Sequence, residues 1–242
     1  MSPAVPVEEP APKDRHPGPR ALHNGSPVTI IHVVRHGEVH NPEAILYGRL
    51  PDYHLSELGR QRAQAAADHL ADRDVTYVVS SPLERAQETA APIAQAHGLH
   101  VATDDKLTES TNHFEGLRID RRALLRLSTL PAVLNPFRPS WGEAYTHIAG
   151  RMRLALDEAR EHAEGHEGVM VSHQLPIWMM RRSVQGRRLA HHPRRRECSL
   201  ASVTSVRFHG TYPVRVMYAE PAAHLLAGAL DVTGTSTEVI GR

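Results

Sequence analysis

The sequence predicts a three-layer α/β/α domain, with helices on both faces of a mostly parallel sheet. Short apolar runs rich in valine and isoleucine alternate with longer segments in which apolar residues recur at helical spacing. Two of these runs, at residues 28–34 and 168–172, each lead within one or two residues to a histidine. Parallel strands bring ligand-binding residues to one edge of a sheet in this way.

The composition favours one domain and excludes several classes of protein. Of 242 residues 40% are hydrophobic, enough for a sizeable core, and the formal net charge of +1 gives no overall attraction to nucleic acid. The single cysteine, Cys198, cannot form an intrachain disulfide. No apolar run reaches the roughly 18 residues of a membrane helix, and no apolar signal-peptide core precedes the domain. We expect a cytoplasmic protein that binds neither nucleic acid nor membranes, with a homodimer left open.

The chain divides into an arm, a domain and a tail. Residues 1–27 are rich in proline and poor in large apolar side chains, which predicts a disordered arm. The domain is expected over residues 28–220, followed by a tail at 221–242. Spacing predicts strands at 28–34, 75–79, 100–103 and 168–172, helices at 57–72, 82–97, 141–164 and 176–186, and a hairpin from 200–208 and 214–218. A helical insert at about 117–141 is a candidate lid.

The first strand ends in residues suited to phosphate chemistry. A neutral imidazole such as His36 can attack phosphorus, and the adjacent Arg35 can hold two phosphate oxygens. Gly37 lets the backbone turn close to a ligand. Arg85 is expected in the first turn of a helix that starts at Pro82, where the helix N-terminus also favours an anion. The second histidine, His173, is expected to share this site.

These motifs, in this order, resemble the histidine phosphatase superfamily, the phosphoglycerate-mutase-like enzymes. The resemblance covers residues 28–208. It rests on RHGE at 35–38, LSELG at 55–59, SPLERAQETA at 81–90, GE at 142–143 and VSH at 171–173.

The resemblance implies a mechanism without metal or cofactor. His36 would take the phosphoryl group as a phosphohistidine, which water then hydrolyses. Arg35, Arg85 and a protonated His173 would hold the phosphoryl oxygens. Glu109 matches the family's general acid, which would protonate the leaving group. The expected partner is a small phosphorylated substrate.

Some residues depart from the family's pattern. Asn41 matches a phosphate-binding position but lies one residue nearer to the signature than usual. Gln174 replaces the glycine that normally follows the second histidine, so it narrows the site or adds an amide donor. The chain also lacks a segment of the glycolytic mutases, which favours a hydrolase over a mutase.

Other interpretations stay open at this point. The chain could transfer phosphoryl groups as a mutase, act on phosphoproteins, or bind phosphorylated ligands without catalysis. A metal site at His162 and His166 is disfavoured, because Gly165 breaks the helix between them. A cluster of arginines is either a solvated face or a rim that attracts polyanionic substrates: Arg181, Arg182, Arg187, Arg188, Arg194, Arg195 and Arg196.

Overall fold

A computed structural model describes residues 25–118 and 142–225, apart from the side chain of Arg194. The strands are β1 (Val28–Arg35), β2 (Val75–Ser80), β3 (Val101–Thr103), β4 (Glu167–Ser172), β5 (Val203–His209) and β6 (Tyr212–Ala219). The longer helices in these ranges are α1 (Glu57–Leu70), α2 (Glu84–Ala96), α3 (Tyr145–His162) and α4 (Gln174–Val184).

The strands form one mixed sheet in the order β3-β2-β4-β1-β5-β6. The strands β3, β2, β4 and β1 run parallel, whereas β5 and β6 are antiparallel to their neighbours. All eight residues of β1 are buried, as expected of a central strand with helices on both faces. The predicted α/β fold class is confirmed.

Helices cover the two faces of the sheet and create two apolar cores. On one face α3 and α4 contribute Met152, Leu156 and Met179, which pack with Ile31 and Val33 of β1. On the other face α1 and α2 contribute small side chains that pack with Val34 of β1 and with β2 and β4. Alternate side chains along β1 therefore pack into the two cores.

Three helices, α2, α3 and α4, start at other residues than predicted. The N-terminus of α2 is at Glu84, not Pro82, and the cap residue Leu83 makes no side-chain capping bond. The hydroxyl of Ser81 lies against His173 instead, with 2.9 Å between Oγ and Nε2. The N-terminus of α4 is at Gln174, immediately after His173. Pro176 is therefore within the first turn, where the missing N–H of proline costs no helical hydrogen bond.

Other boundaries agree with the sequence more closely. Ser56 caps α1 as predicted, since its side chain accepts a hydrogen bond from the Gly59 N–H. By contrast, α3 covers Tyr145–His162 and is shorter than the predicted 141–164 at both ends. The hairpin is β5 and β6, and β6 is the edge strand that Pro213 predicted.

Parts of the predicted arm, insert and tail lie outside the described residues. Leu117 and Arg118, the expected start of the insert helix, are not helical but pair with Leu46 and Ile45. The rest of the insert, including Trp141, is among the residues that the structure does not describe. At the start of the tail, Leu225 accepts a 2.8 Å hydrogen bond from Arg62 of α1.

Among the described residues, no helix combines the length and the apolar character needed to cross a membrane.

Candidate active site

The carboxyl ends of β1, β2 and β4 bring the two histidines together. The N–H of His36 donates to the Ser172 carbonyl at 3.0 Å, and the Ser81 N–H donates to Val171 at 2.9 Å. As a result the imidazole rings of His36 and His173 lie with their centroids 5.1 Å apart. The two histidine-ended strands therefore deliver both side chains to one site.

The environment of His36 fixes its tautomer. Its Nδ1 lies 2.7 Å from the carbonyl oxygen of Gly37. A carbonyl can only accept, so Nδ1 carries the proton and the neutral ring has its lone pair on Nε2. The ring is 1% exposed. This arrangement makes Nε2 the atom that can attack an electrophile.

The backbone after His36 packs against the start of α1 at very short range. A Cβ on Gly37 would lie 2.5 Å from the Gly59 carbonyl oxygen. A Cβ on Gly59 would lie 2.0 Å from the Glu38 carbonyl oxygen. The Ser56 N–H also donates to the Glu38 carbonyl at 2.9 Å. Thr89 of α2 accepts from the Gly37 N–H at 3.0 Å. Two helices thus hold the loop that carries His36.

We expect a Gly59→Ala substitution to lower the free energy of unfolding by roughly 1–3 kcal/mol, as for other overpacked sites. The clash is with backbone, so the signature loop must move and activity should fall with stability. Urea unfolding measures the first effect. Gly150→Ala is the matched control, because nothing lies within 4 Å of its Cβ in α3. That change should stabilise the helix by about 0.5–1 kcal/mol, and an equal loss in both variants would contradict the packing argument.

Arg85 is fully buried and only partly paired. Its Nη2 donates to the Gly48 carbonyl at 2.6 Å, and its guanidinium lies 4.8 Å from the centroid of the Tyr47 ring. Burial lowers its pKa, which nearby Tyr47 and Glu109 raise in opposition. Its Nε and Nη1 are buried without a hydrogen-bond partner among the described residues. Donors left in this state are typical of a site that binds an anion.

Arg35 is the second buried guanidinium at this edge. It is 0% exposed, and its Nη1 donates to the carbonyl oxygen of Cys198 at 2.7 Å. Its backbone N–H donates to the Ser202 carbonyl at 3.1 Å. The loop before β5 therefore fixes the position of this arginine beside His36.

His173 is surrounded by basic side chains. Burial holds its pKa well below the ordinary value, and Arg85, His36 and Arg151 lower it further. This favours a neutral ring, where the resemblance implied a protonated one. Its Nδ1 is buried without a partner among the described residues. A phosphoryl dianion bound among these cations would act in the opposite sense and raise the pKa.

Glu109 lies at the margin of the same site and is partly buried. Its Oε1 accepts from the N–H of Ser110 at 2.8 Å, and its carbonyl accepts from Nε of Arg49. The carboxylate raises the pKa of both Arg85 and Arg196, so it lies within electrostatic range of both. The position suits a carboxyl group that meets the outer part of a bound ester.

Asn41 is held within its own loop. Its Nδ2 donates to the Ile45 carbonyl at 2.8 Å, and its Oδ1 accepts from the Ile45 N–H at 3.0 Å. These bonds organise the loop after the signature. A phosphate contact by Asn41 stays a prediction.

Sequence reasoning assigned no role to several polar residues that shape the site. Glu143 holds Arg151 with two hydrogen bonds of 2.9 Å, one from Nε and one from Nη2. Arg49 also contacts Glu143 and the Glu109 carbonyl. The GE motif includes Glu143, but only the fold shows that Glu143 and Arg151 support the loop of Glu109.

The remaining histidine pair has other partners. His162 stacks on Tyr77, with ring centroids 4.5 Å apart, and His166 contacts Asp74 at 2.8 Å. Within residues 25–118 and 142–225 no group of three potential metal ligands is arranged to hold an ion.

The arginine cluster divides into two environments. Arg182, Arg187 and Arg195 line a cavity of about 400 Å³ that also includes Trp178. Arg181 instead pairs with Glu197 at 2.7 Å. Arg196 is partly buried, so the solvated face considered above does not describe it.

Comparison with known proteins now identifies the family. The model of the histidine phosphatase superfamily (branch 1) matches residues 31–220. This chain belongs to the histidine phosphatase superfamily. It is 56% identical over 203 residues to the uncharacterized protein Rv0525 of Mycobacterium tuberculosis, covering 81% of this chain and 98% of that protein. It is 32% identical to a probable phosphoglycerate mutase, GpmB, of Yersinia pestis, over 72% of this chain and 83% of that protein.

Two solved structures show the same fold. The mycobacterial glucosyl-3-phosphoglycerate phosphatase Rv2419c superposes with a TM-score of 0.65 at 26% identity, covering 80% of this chain and 98% of that one. The YhfR protein of Bacillus stearothermophilus superposes with a TM-score of 0.68 at 22% identity, over 81% and 99% of the two chains.

Proposed function

We propose that this histidine phosphatase is a metal-independent phosphomonoester hydrolase that acts on a small phosphorylated metabolite. One observation carries the proposal: the buried Nε2 lone pair of His36 stands among Arg35, Arg85 and His173. A nucleophile beside two buried arginines suits in-line attack on a phosphoryl group.

The proposed reaction has two steps. In the first, Nε2 of His36 forms a bond to phosphorus while the bond from phosphorus to the ester oxygen breaks, and Glu109 gives its proton to that oxygen. In the second, water attacks the phosphohistidine, the ionised Glu109 takes a proton from the water, and the N–P bond breaks. Phosphate leaves, and His36 returns to its neutral form.

The relatives support two candidate activities. A neighbouring structure is named as a phosphatase and a relative as a probable mutase. Mutase-type phosphoryl transfer therefore stays the second candidate. We favour hydrolysis because the chain lacks the mutase segment noted above, which a mutase would need in order to retain its product for re-phosphorylation.

Phosphate release tests the proposal directly. The purified protein would be incubated with a panel of phosphomonoesters, including sugar phosphates and phosphoglycerates, in the absence of added metal. We expect release that His36→Ala removes. Interconversion of phosphoglycerates without phosphate release would instead establish the mutase.

EDTA should leave the rate of hydrolysis unchanged, because the proposed nucleophile and donors are all side chains. The measurement is the initial rate before and after chelation and dialysis. Loss of activity that added Mg²⁺ or Zn²⁺ restores would contradict the metal-free mechanism.

A recognition module is the alternative from a different class. It would bind phosphorylated ligands or phosphoproteins through Arg35 and Arg85 without turnover. The presence of His36 and Glu109 disfavours this alternative. Phosphate binding without release from any compound would support it.

We place the activity in the cytoplasm, where a single cysteine stays reduced.

A further inference from the structure

The residue that follows His173 is the most unusual feature of the site. Gln174 is 1% exposed, and its Oε1 accepts a hydrogen bond of 3.2 Å from Nη1 of Arg196. Its Nε2 is buried with no partner among the described residues. A buried amide N–H left unpaired is destabilising, so such donors usually have a ligand or water as their partner.

Arg196 is held in place by a chain of hydrogen bonds. The Nδ1 of His191 lies 2.8 Å from the Leu189 carbonyl, so Nδ1 carries the proton and Nε2 can accept. Nε of Arg196 donates to that Nε2 at 2.8 Å. Burial, with Arg196 nearby, lowers the pKa of His191 to about 4, which keeps the ring a neutral acceptor. Nε and Nη1 of Arg196 thus donate to His191 and Gln174, which fixes the side chain. The other N–H groups of Arg196 can donate to a ligand.

The pair is close in the chain to residues of the site, and Arg196 interacts electrostatically with two of them. Gln174 is adjacent in sequence to His173, and Cys198, two residues after Arg196, accepts from Arg35. Burial lowers the pKa of Arg196, whereas Tyr145 and Glu109 raise it and Arg35 lowers it. Arg196 is therefore within electrostatic range of both the candidate acid and the signature arginine.

We infer that Gln174 and Arg196 form a second anion clamp that recognises a carboxylate on the leaving group. This substrate specificity rests on the proposed function, in which Arg35, Arg85 and His173 bind the phosphoryl group. An arginine and an amide N–H together suit the two oxygens of a carboxylate. The substrate class is then a phosphomonoester whose alcohol part is an acid.

A matched pair of ligands tests this inference by binding. 3-Phosphoglycerate and glycerol 3-phosphate share the phosphoryl group and differ by a carboxylate in place of a hydroxymethyl group. Calorimetry on the His36→Ala protein measures both affinities without turnover. We expect 3-phosphoglycerate to bind at least tenfold more tightly, the worth of one hydrogen bond to a charged group.

The variants Arg196→Gln and Gln174→Met should remove this preference. Each should weaken 3-phosphoglycerate binding roughly ten- to a hundredfold and glycerol 3-phosphate binding less than threefold. Thermal unfolding shows whether either variant fails to fold, in which case the other decides. Arg195→Ala is the matched control, since it removes the same charge from the exposed neighbouring residue and should retain the preference.

Two results would overturn the inference. One is equal affinity of the His36→Ala protein for the two ligands. The other is an equal loss of affinity for both ligands in the variants, which would place Gln174 and Arg196 against the phosphoryl group. Failure of the proposed function has a different signature. In that case the wild-type protein binds 3-phosphoglycerate with the expected preference but releases no phosphate from any ester.

Discussion

Replacing His36 with alanine should reduce kcat for phosphomonoester hydrolysis by more than about a thousandfold. The fixed tautomer of His36 leaves the Nε2 lone pair as the proposed nucleophile. His173 lies with its ring 5.1 Å from that of His36, but its Nε2 is engaged with Ser81. Phosphate binding should survive because Arg35 and Arg85 stay in place. Steady-state phosphate release and calorimetry with inorganic phosphate measure the two effects.

The matched control for this variant is His40→Ala. His40 is exposed and follows the signature on the same loop, so its removal should leave kcat within about twofold. Wild-type protein quenched during turnover should also carry a phosphoryl group that the His36→Ala protein lacks. Turnover retained in the alanine variant would assign the nucleophile to another residue.

The sequence predicted the layers of the fold because they depend on local patterns. Short windows of sequence contain the signals for the buried strands, the helical spacing and the Ser56 cap. The structure agrees with each of these predictions. The edge position of β6 followed from Pro213 for the same reason. Antiparallel pairing of β5 with β1 was not predicted, since pairing depends on residues far apart in the chain.

A helix boundary differed from its prediction where a polar side chain had two potential partners. Ser81 precedes a proline, which is typical of a helix start, yet its hydroxyl contacts His173 and α2 begins at Glu84. This tertiary contact overrides the local capping signal. Similarly, Gln174 was recognised only as a departure from the family's glycine, and its contact with Arg196 needed the fold.

The sequence analysis left the environment of Arg196 open for a related reason. A run of arginines at residues 194–196 cannot show which side chain turns inward, because the three residues are identical and adjacent in sequence. The acceptors that hold Arg196 are Gln174 and His191. Both residues precede Arg196 in the chain, and only the path of the loop in the fold brings them into contact with it.

Glu109→Gln should reduce hydrolysis of alkyl phosphates by about a hundred- to ten-thousandfold, the usual range for a lost general acid. The alkoxide that leaves from glycerol 3-phosphate is strongly basic and needs a proton as the P–O bond breaks. The 4-nitrophenolate that leaves from 4-nitrophenyl phosphate is weakly basic, so formation of the phosphohistidine should lose far less. Pre-steady-state kinetics with both esters separates this step from hydrolysis of the intermediate.

Glu115→Gln is the control that separates proton transfer from electrostatic support. Glu109 and Glu115 both raise the pKa of Arg85, so both stabilise its charge. A purely electrostatic role for Glu109 would therefore give similar losses in the two variants and on the two esters. Proton donation predicts a loss that depends on the leaving group in Glu109→Gln alone. That dependence, rather than the size of the loss, is what assigns the general acid, because a repositioned Arg85 would slow both esters equally.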